Sequence, residues 1–267
     1  ALPSIIREKE IEEVIIAIES SEHHKMEEVL NLLEEKPVKI KMIPDTYDII
    51  SGKVRMESMR SIPLVEINHQ LMPVWQMVLK RIFDVVSSAL VLILLSPLYF
   101  TVMLITKISD KGPVFFKQKR VGFQGKEFYM YKFRSMVVDA EENGPQLSSE
   151  NDERITPWGK IMRKYRLDEL PQFWNVVKGE MSLVGPRPER AFFADQIVQH
   201  SPHFLRLQQV RPGITSWGQV KYGYAENVNE MRQRLRYDIM YLENASLLLD
   251  LKILLYTVRT VLRREGK

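Results

Sequence analysis

Val85 to Thr106 is a run of 22 residues without one charged side chain. A helix of that length reaches across the roughly 30 Å hydrocarbon core of a bilayer. Two readings are open, a buried core helix or a membrane segment. Ser96 and Pro97 fall in the middle of the run. Pro97 cannot donate to the carbonyl of Ile93, and its ring pushes that carbonyl away, so a kink is predicted. Lys80 and Arg81 precede the run; Lys107, Lys111, Lys117, Lys119 and Arg120 follow it. Positive charge resists leaving the cytoplasmic face. Basic flanks at both ends favour a segment that enters, bends at Ser96 and Pro97 and returns, a re-entrant helical hairpin rather than a span. Lys80 and Asp84, spaced i,i+4, are partners at its entrance.

The run divides the chain into residues 1–72, a membrane segment at 73–110 and a remainder at 111–267. The first part reads as α/β. Glu13–Ile18 and Val38–Ile43 have strand character. Between them His24–Glu35 carries a helical stripe of Met26, Val29, Leu30 and Leu33. Asp45–Ile50 reads as a short helix closed by Ser51 and Gly52. This is about half of a doubly wound sheet, with too few strands to close a core unless a preceding half or a partner supplies more. No G-x-G-x-x-G occurs, which argues against a dinucleotide site and for a structural or regulatory role. The first residue is Ala1, and no signal peptide is apparent.

After the apolar run, Gly112–Met136 is basic and aromatic. Val114–Phe116 and Glu127–Phe133 are expected to pair as strands joined through Gly122 and Gly125. Lys132 and Arg134 then share one face and Phe133 takes the other. Such a stretch suits nucleic acid, lipid headgroups or other phosphate, or simply solvent. Val138–Arg154 is a polar, acidic loop. Thr156 and Pro157 open a helix as N-cap and N1. Its stripe of Trp158, Ile161, Met162 and Tyr165 fits either a membrane interface or a core. Val228–Glu243 and Ser246–Arg264 close the chain as helices. The second has one leucine-rich face, for the core or for the membrane.

The chemistry concentrates between Arg163 and Glu189. Lys160, Arg163, Lys164 and Arg166 lead to two adjacent carboxylates, Asp168 and Glu169. Pro171 is expected inside the first turn of a helix that ends at Gly179, a residue suited to the left-handed C′ position. The acidic pair then lies at a helix N-terminus, where capping alone would explain it. Pro186 and Pro188 restrict the backbone around Arg187. Arg211-Pro212-Gly213 suits a type II turn. An arginine held in a rigid turn makes a phosphate clamp, or an incidental surface turn.

Several classes fall away. With no cysteine, disulfides, thiolate metal sites and cysteine nucleophiles are excluded. No H-E-x-x-H, no Walker A motif and no G-x-S-x-G is present. The absence of D-x-D weakens a metal-dependent glycosyltransferase of that type. A net charge of +4 and a pI near 9.1 point to a phosphate-rich partner. What remains is a carboxylate pair among cations beside a membrane segment, parts that suit phosphoryl transfer. A carboxylate can attack phosphorus, cations stabilise the transferring group, and two carboxylates can hold Mg²⁺.

The run LDELPQFWNVVKGEMSLVGPRPE resembles the signature of the bacterial sugar transferases, the polyprenyl-phosphate hexose-1-phosphate (phosphoglycosyl) transferases. KRIFD, Ser96-Pro97, GPVFFKQKRVG, MYKFRSM and RPGITSWGQV match the same family in the same order, so the resemblance covers about Lys80–Leu262. It implies transfer of a hexose-1-phosphate from a UDP-sugar to undecaprenyl phosphate with release of UMP, which begins repeat-unit assembly of an exopolysaccharide, capsule or O-antigen. It implies a monotopic protein on the cytoplasmic face of the bacterial inner membrane, in contact with membrane lipids and not nucleic acid. Asp168 matches the nucleophile, Glu169 its partner and Mg²⁺ the cofactor. Residues 1–72 resemble the end of the Rossmann-like domain of the larger members, whose habit points to a homodimer. Two departures stand out: Tyr165-Arg166 replaces small polar residues, and SWGQVKYG replaces GWAQVNG. The expected fold is α/β, with a partial Rossmann-like region, a re-entrant hairpin and a mainly α catalytic domain carrying a small β-hairpin. Lys132, Arg134, Arg187 and Arg211 are assigned to phosphates and Arg163 to headgroup or donor. A direct glycosyltransferase releasing UDP and a noncatalytic membrane scaffold are the rivals.

Overall fold

A computed structural model describes residues 71–109, 111–142, 144, 146–148, 152–223, 225 and 227–262. Of the first seventy residues it describes 5, 6, 8, 9, 11–18, 25, 29, 33, 38–43 and 65–67. The chain forms two compact units, Ala1–Leu71 and Met72–Lys267.

In the first unit β1 (Glu13–Ile16) pairs in parallel with β2 (Lys39–Met42), with Glu13 opposite Lys39. Lys25, Val29 and Leu33 are helical, as the stripe predicts. Leu33 is buried with Ile6, Ile16, Val38 and Ile40, so one βαβ step closes its own small core. β3 (Val65–Ile67) then runs antiparallel to β2. This departs from a doubly wound sheet, in which crossovers keep successive strands parallel. The expected helix at 45–50 and its Ser51-Gly52 close lie outside the described residues.

The second unit is mostly helical with two small sheets. The apolar run lies in two helices, α1 (Val74–Leu94) and α2 (Ser96–Ser109), bent by 62°. The break is at Leu95, one residue before the expected position. Ser96 begins α2 and Pro97 sits in its first turn, where a missing N–H costs nothing. Among the described residues no single helix is long and apolar enough to cross a membrane, though the bent pair together has the length and composition. Trp75, Ile82, Phe83, Val86, Leu90, Ile93 and Leu94 of α1 are exposed, as are Phe100, Leu104 and Ile108 of α2. A continuous apolar face of that kind marks an interaction surface.

The other face of α1 is bolted to the rest of the unit by polar side chains. Lys80 donates to Asp250 at 2.6 Å and to the carbonyl of Val184 at 3.0 Å, while Asp84 stands 3.8 Å away. The expected i,i+4 pair is therefore the weaker of two contacts, because Asp250 comes closer. Asp84 instead accepts the Ser182 hydroxyl at 2.6 Å, and Tyr241 donates to Asp250 at 2.7 Å. Arg81 donates to the carbonyls of Val176, Val177 and Met181 at the end of the helix Gln172–Lys178.

α2 packs inward beside the hairpin of β4 (Phe115–Val121) and β5 (Glu127–Phe133), which are antiparallel with Phe116 opposite Lys132. Val102, Phe133 and Met162 form a buried cluster with Tyr99 and Trp158 at its edge. Thr156 accepts the Gly159 N–H at 2.9 Å and caps α3 (Pro157–Lys164), as expected. α3 is mainly a core helix: Met162 is fully buried and Trp158 donates to Thr106 at 3.0 Å. Ile161 is left half-exposed.

α4 (Gln172–Lys178) ends at Gly179 with φ +93°, the left-handed cap read from the sequence. β6 (Ser182–Val184) then pairs in parallel with β7 (Gly213–Thr215). A Cβ on Gly185 would lie 2.3 Å from the Arg211 carbonyl, so glycine permits the two segments to meet. Gly213 lacks the left-handed φ that a type II turn requires at its third position and instead opens β7. The chain continues through α5 (Ala191–His200), α6 (Trp217–Lys221), α7 (Val228–Glu243) and α8 (Leu247–Leu262). α8 takes both roles open to it. Ile253 and Asp250 are buried, while Leu248, Leu251, Leu255 and Val258 are exposed.

Candidate functional site

Asp168 and Glu169 are carried by a single 3₁₀ turn, Leu167–Glu169, between α3 and α4. They are not on the first turn of α4, and Pro171 is that helix's N-cap residue rather than a residue inside it. The reason lies at Arg166, whose backbone is left-handed at φ 53°. It ends α3 and redirects the chain, and such a conformation at a non-glycine residue costs about 1 kcal/mol or more. Capping of α4 therefore does not account for the acidic pair. The turn is held from below by Tyr99 of α2, whose hydroxyl donates to the Leu170 carbonyl.

Both carboxyls face a cleft of about 230 Å³ between the hairpin and the segments around residues 140, 154 and 190. Lys132 donates to Glu169 Oε1 at 3.3 Å. Arg166 lies 3.5 Å from Glu169 Oε2 and Arg187 lies 3.9 Å from Oε1. Burial alone would push the Glu169 carboxyl up, but Lys132, Arg166 and Arg187 together hold it down at about 2. Asp168 is 6% exposed. Among the described residues no hydrogen bond reaches its carboxylate. Burial raises its pKa, and Lys132, Arg163 and Arg166 only partly offset that and the charge of Glu169. The two neighbours are thus driven apart: one fixed as an anion within a cage of cations, the other less settled and less engaged. Such a split is a mark of functional carboxylates. Burial likewise lowers the pKa of Lys132.

Six of the seven expected site residues outside the apolar run line this cleft: Asp168, Glu169, Lys132, Arg134, Arg163 and Arg187. Arg163 donates to Ser135 at 3.0 Å and to Ser148 at 2.7 Å, so it faces the cleft. Arg134 is buried, 6% exposed, at the end of the hairpin. Arg211 is the exception. It donates to the Gly179 carbonyl at 2.9 Å, caps the end of α4 and lies over the Phe123 ring, outside the cleft. Ser96 and Pro97 are likewise apart from the cleft, at the α1–α2 break.

Arg120, Arg154, Arg190 and Glu141 also line the cleft, though sequence reasoning did not single them out as site residues. Arg190 holds Glu141 through two contacts, 2.9 and 3.2 Å. Arg120 donates to Gln118 and to the Pro188 carbonyl. The hairpin register held the signal for Arg120. With Phe116 opposite Lys132, alternation puts Phe116, Gln118 and Arg120 on the Lys132 face. The face turned away carries Lys117 and Lys119 over Tyr131 and Tyr129.

Among the described residues no three or more His, Asp or Glu side chains gather to hold a metal. Mg²⁺ does not need them, since one or two carboxylates with waters and substrate phosphates suffice. The adjacent Asp168 and Glu169 meet that smaller donor set.

A cleft rich in arginine and lysine, with one caged and one buried carboxylate, has the chemistry of a phosphate-handling site, and it sits on a unit with a bent apolar helix pair. Comparison with known proteins narrows the class: residues 75–264 match the bacterial sugar transferase family, and the chain belongs to it. It is 40% identical over 227 residues to an Aeromonas hydrophila UDP-N-acetylgalactosamine-undecaprenyl-phosphate N-acetylgalactosaminephosphotransferase, covering 85% of this chain and 52% of that protein. To the UDP-glucose:undecaprenyl-phosphate glucose-1-phosphate transferase of Xanthomonas campestris pv. campestris it is 35% identical over 265 residues, 97% of this chain and 55% of the other. The enzyme of that name from Escherichia coli (strain K12) is 34% identical over 250 residues, 93% and 54%. The chain spans about half the length of these relatives.

Proposed function

We propose that the protein transfers a hexose-1-phosphate from a UDP-sugar to undecaprenyl phosphate, releasing UMP, through a covalent intermediate on Asp168. The buried Asp168 carboxyl, without a hydrogen bond among the described residues beside a caged Glu169, carries this reading. The names of the relatives support the reaction class.

An oxygen of Asp168 attacks the phosphorus that bears the sugar. The bond from that phosphorus to the bridging oxygen breaks, UMP leaves with the oxygen, and an acyl phosphate forms. A phosphate oxygen of the lipid then attacks the same phosphorus and returns the aspartate as a carboxylate. One phosphoanhydride replaces another, and two substrates of opposite solubility use one site in turn. Lys132, Arg134, Arg163 and Arg187 bind phosphate oxygens and stabilise charge on the transferring group. Glu169 holds Lys132, Arg166 and Arg187 in place. Asp168 and Glu169 would hold Mg²⁺ together with waters, and the ion would add charge neutralisation on the donor's phosphates.

The α1–α2 pair is read as a re-entrant segment on the cytoplasmic face of the inner membrane, with 73–110 as the membrane part and 111–267 as the catalytic part. The charged side chains of α1 turn to the protein, while its apolar ones face outward. Residues 1–72 are read as the end of a Rossmann-like domain, and the assembly as a homodimer. The sugar is taken as glucose or galactose, for the first step of a surface polysaccharide. Detergent-solubilised protein with a panel of UDP-sugars tests the reading. UMP release and a phosphohexose adduct on residue 168, trapped before acceptor is added, are expected. Release of UDP would favour a direct glycosyltransferase, and no nucleotide release a scaffold.

A further inference from the structure

Gln219 lines the cleft, together with Arg187, Arg190 and Phe193. Its backbone is pinned. Ser216, fully buried, accepts the Gln219 N–H at 3.0 Å, and Asp238 accepts the Gly218 N–H at 2.9 Å. Gly218 is locked in turn, since a Cβ there would lie 2.6 Å from Arg234 Cγ and 3.0 Å from Asp238 Oδ1. On this rigid turn the Gln219 Oε1 atom is buried and has no hydrogen-bond partner among the described residues. An amide oxygen buried in that way costs roughly 1–3 kcal/mol. A pinned backbone presenting an unsatisfied acceptor is the arrangement of a group whose partner arrives with a ligand.

We propose that Gln219 is a specificity-determining residue whose side-chain oxygen accepts a hydrogen bond from the bound UDP-sugar. This rests on the function proposed above. The chemistry of the two substrates selects the donor over the acceptor. A polyprenyl phosphate at neutral pH offers acceptor oxygens and an apolar tail. A UDP-sugar offers hydrogen-bond donors at the sugar hydroxyls and at the imino N–H of uracil. The cationic groups that serve phosphate lie beside Gln219, and the neutral amide serves what the phosphates carry.

The test uses the full chain in detergent and the variant Gln219→Leu, which keeps the volume and removes the acceptor. The KM for the UDP-sugar is expected to rise about tenfold, which corresponds to ~1.4 kcal/mol, with the KM for undecaprenyl phosphate unchanged and the melting temperature held or raised, since an unsatisfied buried acceptor is removed. Inhibition by UMP separates the two sources. If UMP binding weakens in parallel, the contact is to the base. If UMP binding holds while the donor KM rises, it is to a sugar hydroxyl, and discrimination among UDP-sugars falls as well. Donor KM and UMP affinity both within about twofold of the parent overturn the proposal, as does an equal rise in both substrates' KM. Should Gln219→Leu fail to fold, Gln219→Asn withdraws the oxygen by one methylene and is expected to give the same KM pattern. A parent protein that releases no UMP from any UDP-sugar refutes the proposed function, and the Gln219 assignment with it. Turnover in the parent with an indifferent variant refutes the Gln219 assignment alone.

Discussion

Lys132 donates to Glu169 and not to Asp168, although the two carboxyls are consecutive in the chain. The 3.3 Å contact joins two more cations, Arg166 and Arg187, on the same carboxylate. Glu169 is therefore held by three cations, whereas Asp168 has no such direct contact, and the proposed reaction takes Asp168 as its nucleophile. Asp168→Asn is expected to lower UMP release on the order of 10³-fold or more, the loss expected when a nucleophile is removed. The melting temperature should hold or rise, because a buried carboxyl that resists ionisation is replaced by a neutral amide. Single-turnover kinetics and thermal melting together check both halves.

If Asp168 is the nucleophile, its raised pKa should give the reaction an acid limb. Below that pKa the carboxyl is protonated and does not attack. The first half-reaction should therefore begin to lose rate at a higher pH than an unperturbed aspartate would impose. Lys132 opposes the rise. Lys132→Gln should move the limb to higher pH, apart from any loss of phosphate binding. A pH profile of the UMP burst, compared between parent and variant, reads the shift.

Asp238 makes a separate prediction about stability. Burial pushes its carboxyl up from 3.8 to about 6, against the opposing effects of Arg234 and the Gly218 N–H. Its folded pKa lies above its unfolded one, so the folded chain binds the extra proton. The stabilisation is fully present below about pH 3.8 and is lost as pH rises through about 6. The span corresponds to on the order of 3 kcal/mol. Asp238→Asn should flatten this part of the stability curve between pH 4 and 7. Chemical denaturation at several pH values measures it, and parallel curves for parent and variant would contradict it.

The site was legible where local chemistry sets local structure. LDELP and PRP located Asp168, Glu169 and Arg187, and Thr156-Pro157 and Gly179 marked helix ends that the structure keeps. What the sequence did not reveal depends on contacts between distant segments. Asp250 takes Lys80 from Asp84 across 170 residues, and no helical spacing shows that. The turn residues around Arg211 suggest a phosphate clamp, but Gly213 pairs with the segment at Ser182 and turns the arginine to Gly179. The 3₁₀ turn under Asp168 follows from a left-handed Arg166, a conformation that an arginine in the sequence gives no reason to expect. The first unit's antiparallel third strand was hidden for the same reason, since periodicity gives strands and not their direction.

The Lys80–Asp250 contact at 2.6 Å ties α1 to α8, with both side chains largely buried. Breaking one partner of such a pair leaves an uncompensated buried charge and costs about 3–5 kcal/mol. Lys80→Met should therefore destabilise strongly, while Lys80→Met with Asp250→Leu should recover much of the loss. A double-mutant cycle by thermal melting checks this. Additive losses would mean that the pair is not coupled.

In the proposed membrane-bound state, the exposed face of α8 is a candidate second contact beside α1 and α2. Leu248, Leu251, Leu255 and Val258 fall on neighbouring turns, while Asp250 and Ile253 point into the protein. Substituting Leu251 and Leu255 by glutamate adds two charges without touching a buried side chain. If this face lies in the headgroup region beside the α1–α2 pair, the variant should partition less into anionic vesicles, because each leucine loses apolar burial and each carboxylate meets like charge. Melting in detergent should change little, since surface substitutions away from the core cost about 0.5 kcal/mol or less. Vesicle flotation at two salt concentrations is the measurement. Equal flotation of parent and variant would remove α8 from the proposed membrane contact and leave it to α1 and α2, while no flotation of the parent would argue against membrane contact altogether.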